Sequence, residues 1–312
     1  MSSKKEASEA IGAVNALPGI DEVSAEARAK LLTGRSTKGT AKVEGIQLAI
    51  SLLDLTSLEG MDTNNSIREL AFRATNPGLG LPSCAAICIY PDLVTSTKLY
   101  LNEINSKVKV AAVGGGFPHG KVSLAVKLKE IEESLAMGAD EIDMVIDRAA
   151  FLSGDLSKVY HDIAEIKKLT SSFNVTLKVI LETGELGTLD KVNQASYLAI
   201  LAGADFIKTS TGKIPKASTP VTTMILLRAS AKHFQETGIR IGVKPAGGIR
   251  STTQALGHLQ MAKEICSPAQ LTPNYYRFGA SALLTDLQLQ WNKIKTGNYS
   301  STNYTPGATG SY

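Results

Sequence analysis

GADFIKTSTGK, residues 203–213, sets a lysine inside a short β-rich apolar run, where an unpaired charge is costly to bury. Four residues on, a small hydroxyl-rich turn ends in Gly212 and Lys213, a candidate anion cradle. The stretch follows a helical pattern, and its Gly-Ala-Asp recurs at residues 138–140 before another apolar run. A helix end, Gly-Ala-Asp and a strand, used twice, point to repeated βα units. Such units build either a (β/α)₈ barrel or a doubly wound sheet.

Outward from there, short apolar runs alternate with longer helical ones. The strand candidates are Leu48–Leu53, Ala85–Tyr90, Val108–Val113, Glu141–Ile146, Leu177–Leu181, Phe206–Thr209, Ile241–Lys244 and Arg277–Ala280. Most are continuously apolar rather than alternating, as in parallel strands covered by helices. Leu124, Leu128, Ile131 and Leu135 form a helical stripe with Gly138 at its C′ position, and Thr219-Pro220 supplies an N-cap and first-turn proline. Eight strands favour the barrel: an α/β (β/α)₈ TIM barrel over residues 46–295. Residues 1–45 then form an N-terminal helical extension, with Ser24 capping a helix to Leu32, Gly34 ending it and residues 36–39 as linker. Residues 296–312, uncharged and rich in Ser, Thr and Gly, read as a flexible C-terminal tail.

Composition narrows the function. Of 312 residues, 43% are hydrophobic and 20% charged, an ordinary globular mixture. The 33 basic and 29 acidic residues are spread along the chain without a basic, aromatic-interleaved block, so no nucleic-acid partner is expected. No apolar run approaches the ~20 residues of a membrane span, and the first ten residues lack a leader's apolar segment. Cys84, Cys88 and Cys266 show neither disulfide-framework nor zinc spacing and read as packed thiols, so a cytoplasmic location is expected.

In a (β/α)₈ barrel the active site lies at the C-terminal strand ends. Those ends carry Asp54, the turn Gly114–Gly120, Asp143, Lys178 with Glu182, Lys208 with Gly212-Lys213, Lys244 with Gly247–Arg250, and Gly279–Ser281. Lysine in three consecutive strands is the strongest signal. A lysine becomes a nucleophile only when desolvation or a neighbouring cation favours its neutral amine, and Lys208 and Lys244 on adjacent strands could supply that pair. Asp143 could order a water or move protons. The competing reading is a buried ion network in which these lysines merely pair with Asp143 or Glu182. Glycines after strands six, seven and eight favour an anion held by backbone N–H groups, with Arg250 or Ser281 completing the site. Gly212-Lys213 is not a Walker A loop, since Ile214 and Ile207 stand where the pattern needs Ser/Thr and Gly. The residues thus read as a site for a phosphorylated carbonyl compound, with no metal and no cofactor.

The sequence resembles the deoxyribose-phosphate aldolase family, class I aldolases on a TIM barrel. The likeness rests on LLDLTSL (52–58), AAICIYP (85–91), GFPHG (116–120), ADEIDMVI (139–146), LKVILETGEL (177–186), ADFIKTSTGK (204–213), GVKPAGGIR (242–250) and RFGASALL (277–284). It implies reversible cleavage of 2-deoxy-D-ribose 5-phosphate to D-glyceraldehyde 3-phosphate and acetaldehyde. Lys208 falls on the family's Schiff-base lysine, Lys244 on the second lysine that tunes it, and Asp143 on the proton-relay aspartate. Gly212, Lys213, Gly247, Gly248, Arg250, Gly279 and Ser281 fall on phosphate-loop positions. Tyr312 matches, by type and terminal position, a proton-transfer tyrosine at the end of some members. The alternatives are another class I aldolase with a larger donor and a catalytically silent phosphosugar-binding protein. A homo-oligomer is left open.

Overall fold

Parallel strands buried on both faces need helices to carry the chain back, and the computed structural model has that pattern. It describes residues 2–298 and Ser301. Three helices open the chain: α1 (Ser2–Asn15), α2 (Glu22–Thr33) and α3 (Gly39–Ser51). The first half of the barrel follows as β1 (Leu53–Thr56), α4 (Asn64–Thr75), β2 (Ala86–Ile89), α5 (Val94–Glu103), β3 (Lys109–Gly114), α6 (Leu124–Ala136) and β4 (Glu141–Val145). The second half runs through α7 (Arg148–Leu152), α8 (Leu156–Ser172), β5 (Thr176–Ile180), α9 (Leu189–Leu201), β6 (Phe206–Lys208), α10 (Pro220–Thr237), β7 (Gly242–Lys244), α11 (Thr252–Cys266), β8 (Phe278–Ala280) and α12 (Ala282–Thr296).

From β1 to β7 each strand pairs in parallel with the next, and β8 pairs with β1. The ring closes through Val243 opposite Tyr276 and Ala246 opposite Gly279. There Val243 N–H donates to Tyr275 at 3.0 Å and Gly279 N–H to Pro245 at 2.9 Å. This is a (β/α)₈ TIM barrel. Among the described residues, no helix is long and apolar enough to cross a membrane.

The repeated Gly-Ala-Asp has one job in both places. Gly138 and Gly203 lie at φ +95° and +99°, which lets the chain leave α6 and α9 sharply. Asp140 then accepts the Val110 N–H at 2.8 Å and the Lys98 ammonium at 2.8 Å. Asp205 does the same for Leu177 N–H at 2.8 Å and Lys167 at 2.7 Å. Each aspartate thus ties the foot of its own strand to the preceding strand and to the helix before that strand.

The structure corrects three local expectations. Leu48–Ser51 belong to α3, and β1 starts only at Leu53. Ile46, Ala49, Ile50 and Leu53 recur at helical spacing and all are buried, so the 3.6-residue period prevails over the look of an apolar run. The cap of α2 is Asp21, whose carboxylate accepts the Ser24 N–H at 3.1 Å, and Ser24 lies inside the first turn. The connection expected at residues 36–39 is shorter: Gly39 already opens α3, which runs through Leu52 into β1. The extension packs on the barrel: Ala7, Ala10 and Val14 of α1 are buried, and Glu22 accepts the Leu189 N–H at 2.9 Å.

His258 of α11 is buried edge-on against Phe278, with ring centroids 6.4 Å apart. Burial pulls its pKa down from 6.5 to about 4. Its neutral form is therefore favoured by folding, while the unfolded chain takes up a proton below pH 6.5. Stability is unaffected above 6.5 and falls as the pH drops toward 4, by about 3 kcal/mol in all. In His258→Leu, urea midpoints should lose this upper limb of the acid titration. An unchanged profile would show that the ring protonates in place.

Candidate active site

Side chains alternate along a strand, so residues two apart share a face. Glu141 and Asp143 of β4 both point into the barrel, where Asp54 (β1), Lys178 (β5), Lys208 (β6), Lys244 (β7) and Arg277, just before β8, meet them. Asp143 is the hub. Its Oδ2 accepts from Lys208 Nζ at 2.8 Å and Lys244 Nζ at 2.7 Å, and its Oδ1 from Lys178 Nζ at 2.7 Å. Lys244 also reaches Asp54 at 2.5 Å, and Lys178 reaches Glu141 at 2.5 Å. Arg277 closes the lower layer on Asp54 at 2.5 Å and Glu141 at 2.8 Å.

All seven groups are buried, and their charges do not cancel. Four cations face three carboxylates, with Lys109 reaching Glu141 from the foot of β3 at 3.2 Å. Burial pushes the Asp143 carboxyl up, but Lys178, Lys208 and Lys244 overcome it and hold the group well below the usual carboxylate range. Asp54 and Glu141 are likewise held down, against burial, by Arg277 and the lysines. For Lys244, burial opposes the charge, yet Asp143 and Asp54 prevail and keep it an ammonium. Lys178 is held charged in the same way by Asp143 and Glu141. Lys208 differs in contact: its ammonium pairs with one carboxylate, Asp143, whereas Lys178 and Lys244 each pair with at least two.

Lys208 differs in access as well. It is 2% exposed, Lys178 and Lys244 0%, and that difference opens onto a cavity of ≈ 230 Å³. The cavity has room for one small molecule. Gly212, Lys213, Gly247, Gly248, Arg250, Gly279 and Ser281 line it together with Lys208. Gly247 and Gly248 lie at φ +74° and +79°, and a Cβ on Gly247 would come within 2.7 Å of the Ala217 side chain. Gly279 leaves room for the Lys244 stem: a Cβ there would sit 3.1 Å from Lys244 Cε. Ser281 stands at the N-cap of α12 without a side-chain cap bond, and both it and Ala282, the first residue of the helix, line the cavity. Arg250 is exposed, its N–H held by Gln254 at 2.9 Å. Thr209 fastens the two lysine strands above this point, its hydroxyl accepting the Ala246 N–H at 2.9 Å.

The structure thus brings Lys208, Lys244 and Asp143 into direct contact and puts the glycine loops around Lys208. Tyr312 lies outside the described residues. Glu182 does not pair with the lysines. It is buried, with φ +55°, and takes Thr211 N–H at 3.2 Å, the Thr211 hydroxyl and Arg148 at 3.2 Å. Its role is to fix the loop that carries Gly212. Sequence reasoning missed Glu141 and Arg277 as members of the network. The signal was a charge at the entry of two apolar runs, in step with Asp143 two residues on.

The family model for DeoC/LacD family aldolases matches residues 48–288, the whole barrel from α3 into α12. The chain belongs to this family. A DeoC/LacD aldolase is a lyase, and relatives support that class. The deoxyribose-phosphate aldolase of Homo sapiens is 38% identical over 276 residues, 85% of this chain and 86% of that one. That of Bos taurus is 38% identical over 262 residues, 80% and 82% of the two chains. Among solved structures, the tetrameric deoxyribose phosphate aldolase from Aeropyrum pernix superposes with a TM-score of 0.62 at 27% identity, over 84% of this chain and 100% of that one.

Proposed function

We propose that this aldolase works through a Schiff base on Lys208 and reversibly cleaves 2-deoxy-D-ribose 5-phosphate to D-glyceraldehyde 3-phosphate and acetaldehyde. One observation carries the reading: of the three lysines on Asp143, Lys208 is the one that lines the cavity ringed by glycine loops. Lys208 has the single contact and the open cavity beside it.

The neutral amine attacks the C1 aldehyde, and loss of water from the carbinolamine leaves a protonated imine. Removal of the C3 hydroxyl proton breaks the C2–C3 bond. The bonding pair flows into the iminium to give an enamine, and C3–C5 depart as glyceraldehyde 3-phosphate. Protonation at C2 and hydrolysis release acetaldehyde and return the amine. Lys244, kept charged by Asp143 and Asp54, is the fixed cation beside the nucleophile. Asp143, a carboxylate in contact with both lysines, relays protons through the network and any ordered water. Gly212, Lys213, Gly247, Gly248, Arg250, Gly279 and Ser281 hold the phosphate, and Tyr312 assists proton transfer at C2. In this reading residues 46–295 are the catalytic unit, residues 1–45 an extension and residues 296–312 a tail. A homo-oligomer belongs to the same proposal, since a relative is a tetramer. So does a cytoplasmic location, which suits three buried free cysteines.

Borohydride reduction in the presence of acetaldehyde, followed by peptide mass spectrometry, tests the mechanism. The expected product is a two-carbon adduct on Lys208. A label on Lys178 or Lys244, or no label with the enzyme still turning over, would overturn the assignment.

A further inference from the structure

The cations that line the cavity are Lys208, Lys213 and Arg250, and no carboxylate lines it among the described residues. One carboxylate nevertheless meets a lining cation from outside the lining. Glu59, in the loop after β1, sets its Oε1 3.0 Å from Lys213 Nζ, across the mouth from the loop after β6. Neither partner is placed by chance. The Asp62 carboxylate accepts from the Ser57 hydroxyl at 2.8 Å and from the Glu59 N–H at 2.9 Å, which fixes the β1 loop. Lys213 N–H donates to the Thr211 hydroxyl at 3.1 Å, and Thr211 is anchored on buried Glu182. Leu58, next to Glu59, itself lines the cavity.

We infer that Glu59 is a specificity-determining residue, a resident counter-ion on Lys213 that an entering phosphate must displace. The inference rests on the phosphate site proposed above. A dianionic phosphate ester recovers the lost ion pair with a doubly charged partner and additional backbone donors. A singly charged carboxylate replaces like with like and gains little. The carboxylate therefore lowers affinity for every anion that uses Lys213 by the same competition factor and leaves neutral ligands untouched. It also returns to Lys213 when the phosphorylated product leaves, which keeps the cation solvated by protein rather than by stray anions. The partly exposed pair has the modest strength of a rim salt bridge, so the effect is read as a severalfold change.

The experiment compares wild type with Glu59→Gln, alone and in a Lys213→Met background. With 2-deoxyribose 5-phosphate, Glu59→Gln should lower KM about threefold at similar kcat, and inorganic phosphate should inhibit about threefold more tightly. Unphosphorylated 2-deoxyribose, which has nothing to place on Lys213, should show no comparable gain. Acetate inhibition should tighten by a factor no larger than that for phosphate. In the Lys213→Met background the Glu59 substitution should have no effect on KM. A KM for the phosphorylated sugar that rises in Glu59→Gln would overturn the inference, because Glu59 would then be orienting Lys213 rather than competing for it. So would equal changes for the two sugars. If wild type fails to cleave 2-deoxyribose 5-phosphate, the proposed reaction is at fault instead. Calorimetric titration of inorganic phosphate into both proteins still decides the role of Glu59: tighter binding by the variant supports it, and equal or weaker binding sinks it.

Discussion

Lys208→Met should give a folded protein whose retro-aldol turnover is down by about 10⁴-fold or more. Neither of the other lysines on Asp143 can take over. Lys178 and Lys244 are fully buried behind Lys208, and two or more carboxylates keep each of them charged. Removing the Lys208 ammonium leaves Asp143 in contact with those two lysines, so no carboxylate is orphaned and four buried cations become three against three carboxylates. Stability should hold or rise slightly, since the methionine stem fills most of the space. Lys208→Arg separates charge from nucleophilicity: its guanidinium preserves the positive charge but supplies no free amine, and the loss should be as large. Steady-state assays alongside thermal melts make the measurement. A loss of only about 10²-fold, the size expected of a proton-transfer assistant, would give the covalent step to another group.

Asp143→Ala should act on stability and activity together. Lys178 keeps Glu141 and Lys244 keeps Asp54, but Lys208 loses the carboxylate it pairs with, and the buried surplus of positive charge doubles. Removing one partner from a buried ion network costs about 3–5 kcal/mol, which in a chain of this size lowers the melting temperature by roughly 10 °C. Asp143→Asn should fall between, because it restores the shape and not the charge. Adding Lys244→Met to Asp143→Asn removes one cation and should recover part of the lost stability without recovering turnover. If Asp143→Ala melts like wild type, the three lysines are compensated in some other way. If the double variant regains activity, Asp143 serves only to balance charge.

The carboxylates also set the lower limb of the acid titration. Their native values lie below those of unfolded carboxylates, so their contribution is complete above about pH 5 and is lost as acid protonates them.

How much of this was legible beforehand differs by level. The barrel was readable because parallel strands leave unbroken apolar runs, and seven of the eight candidates overlap their strands closely. Leu48–Leu53 misled because the apolar stripe on α3 runs into β1 with only Ser51 to interrupt it, so continuity and helical period compete in the same window. Lys208, Lys244 and Asp143 stood out as charges late in apolar runs. Glu141 and Arg277 did not, since each sits at the first residues of its run, where a charge normally reaches solvent. That Arg277 instead crosses the barrel floor to Asp54 and Glu141 depends on closure between the first and last strands, which only the folded ring supplies. Glu182, which the competing reading offered as a lysine partner, goes elsewhere for a related reason. Its left-handed backbone turns it toward Thr211 and away from the lysines, and nothing in a glutamate's sequence context announces that.

The Gly-Ala-Asp junctions have a consequence for how such an enzyme can change. They bind strand to strand and strand to helix at the foot of the barrel, through backbone amides and one lysine each. The glycine loops and Glu59 lie at the opposite end, with the charged layer between. Architecture and appetite are thus written in separate parts of the chain. Drift or laboratory selection in the mouth loops can retune which aldehydes and anions are accepted while the foot keeps its staples, so new specificities can be sampled without first re-earning the fold.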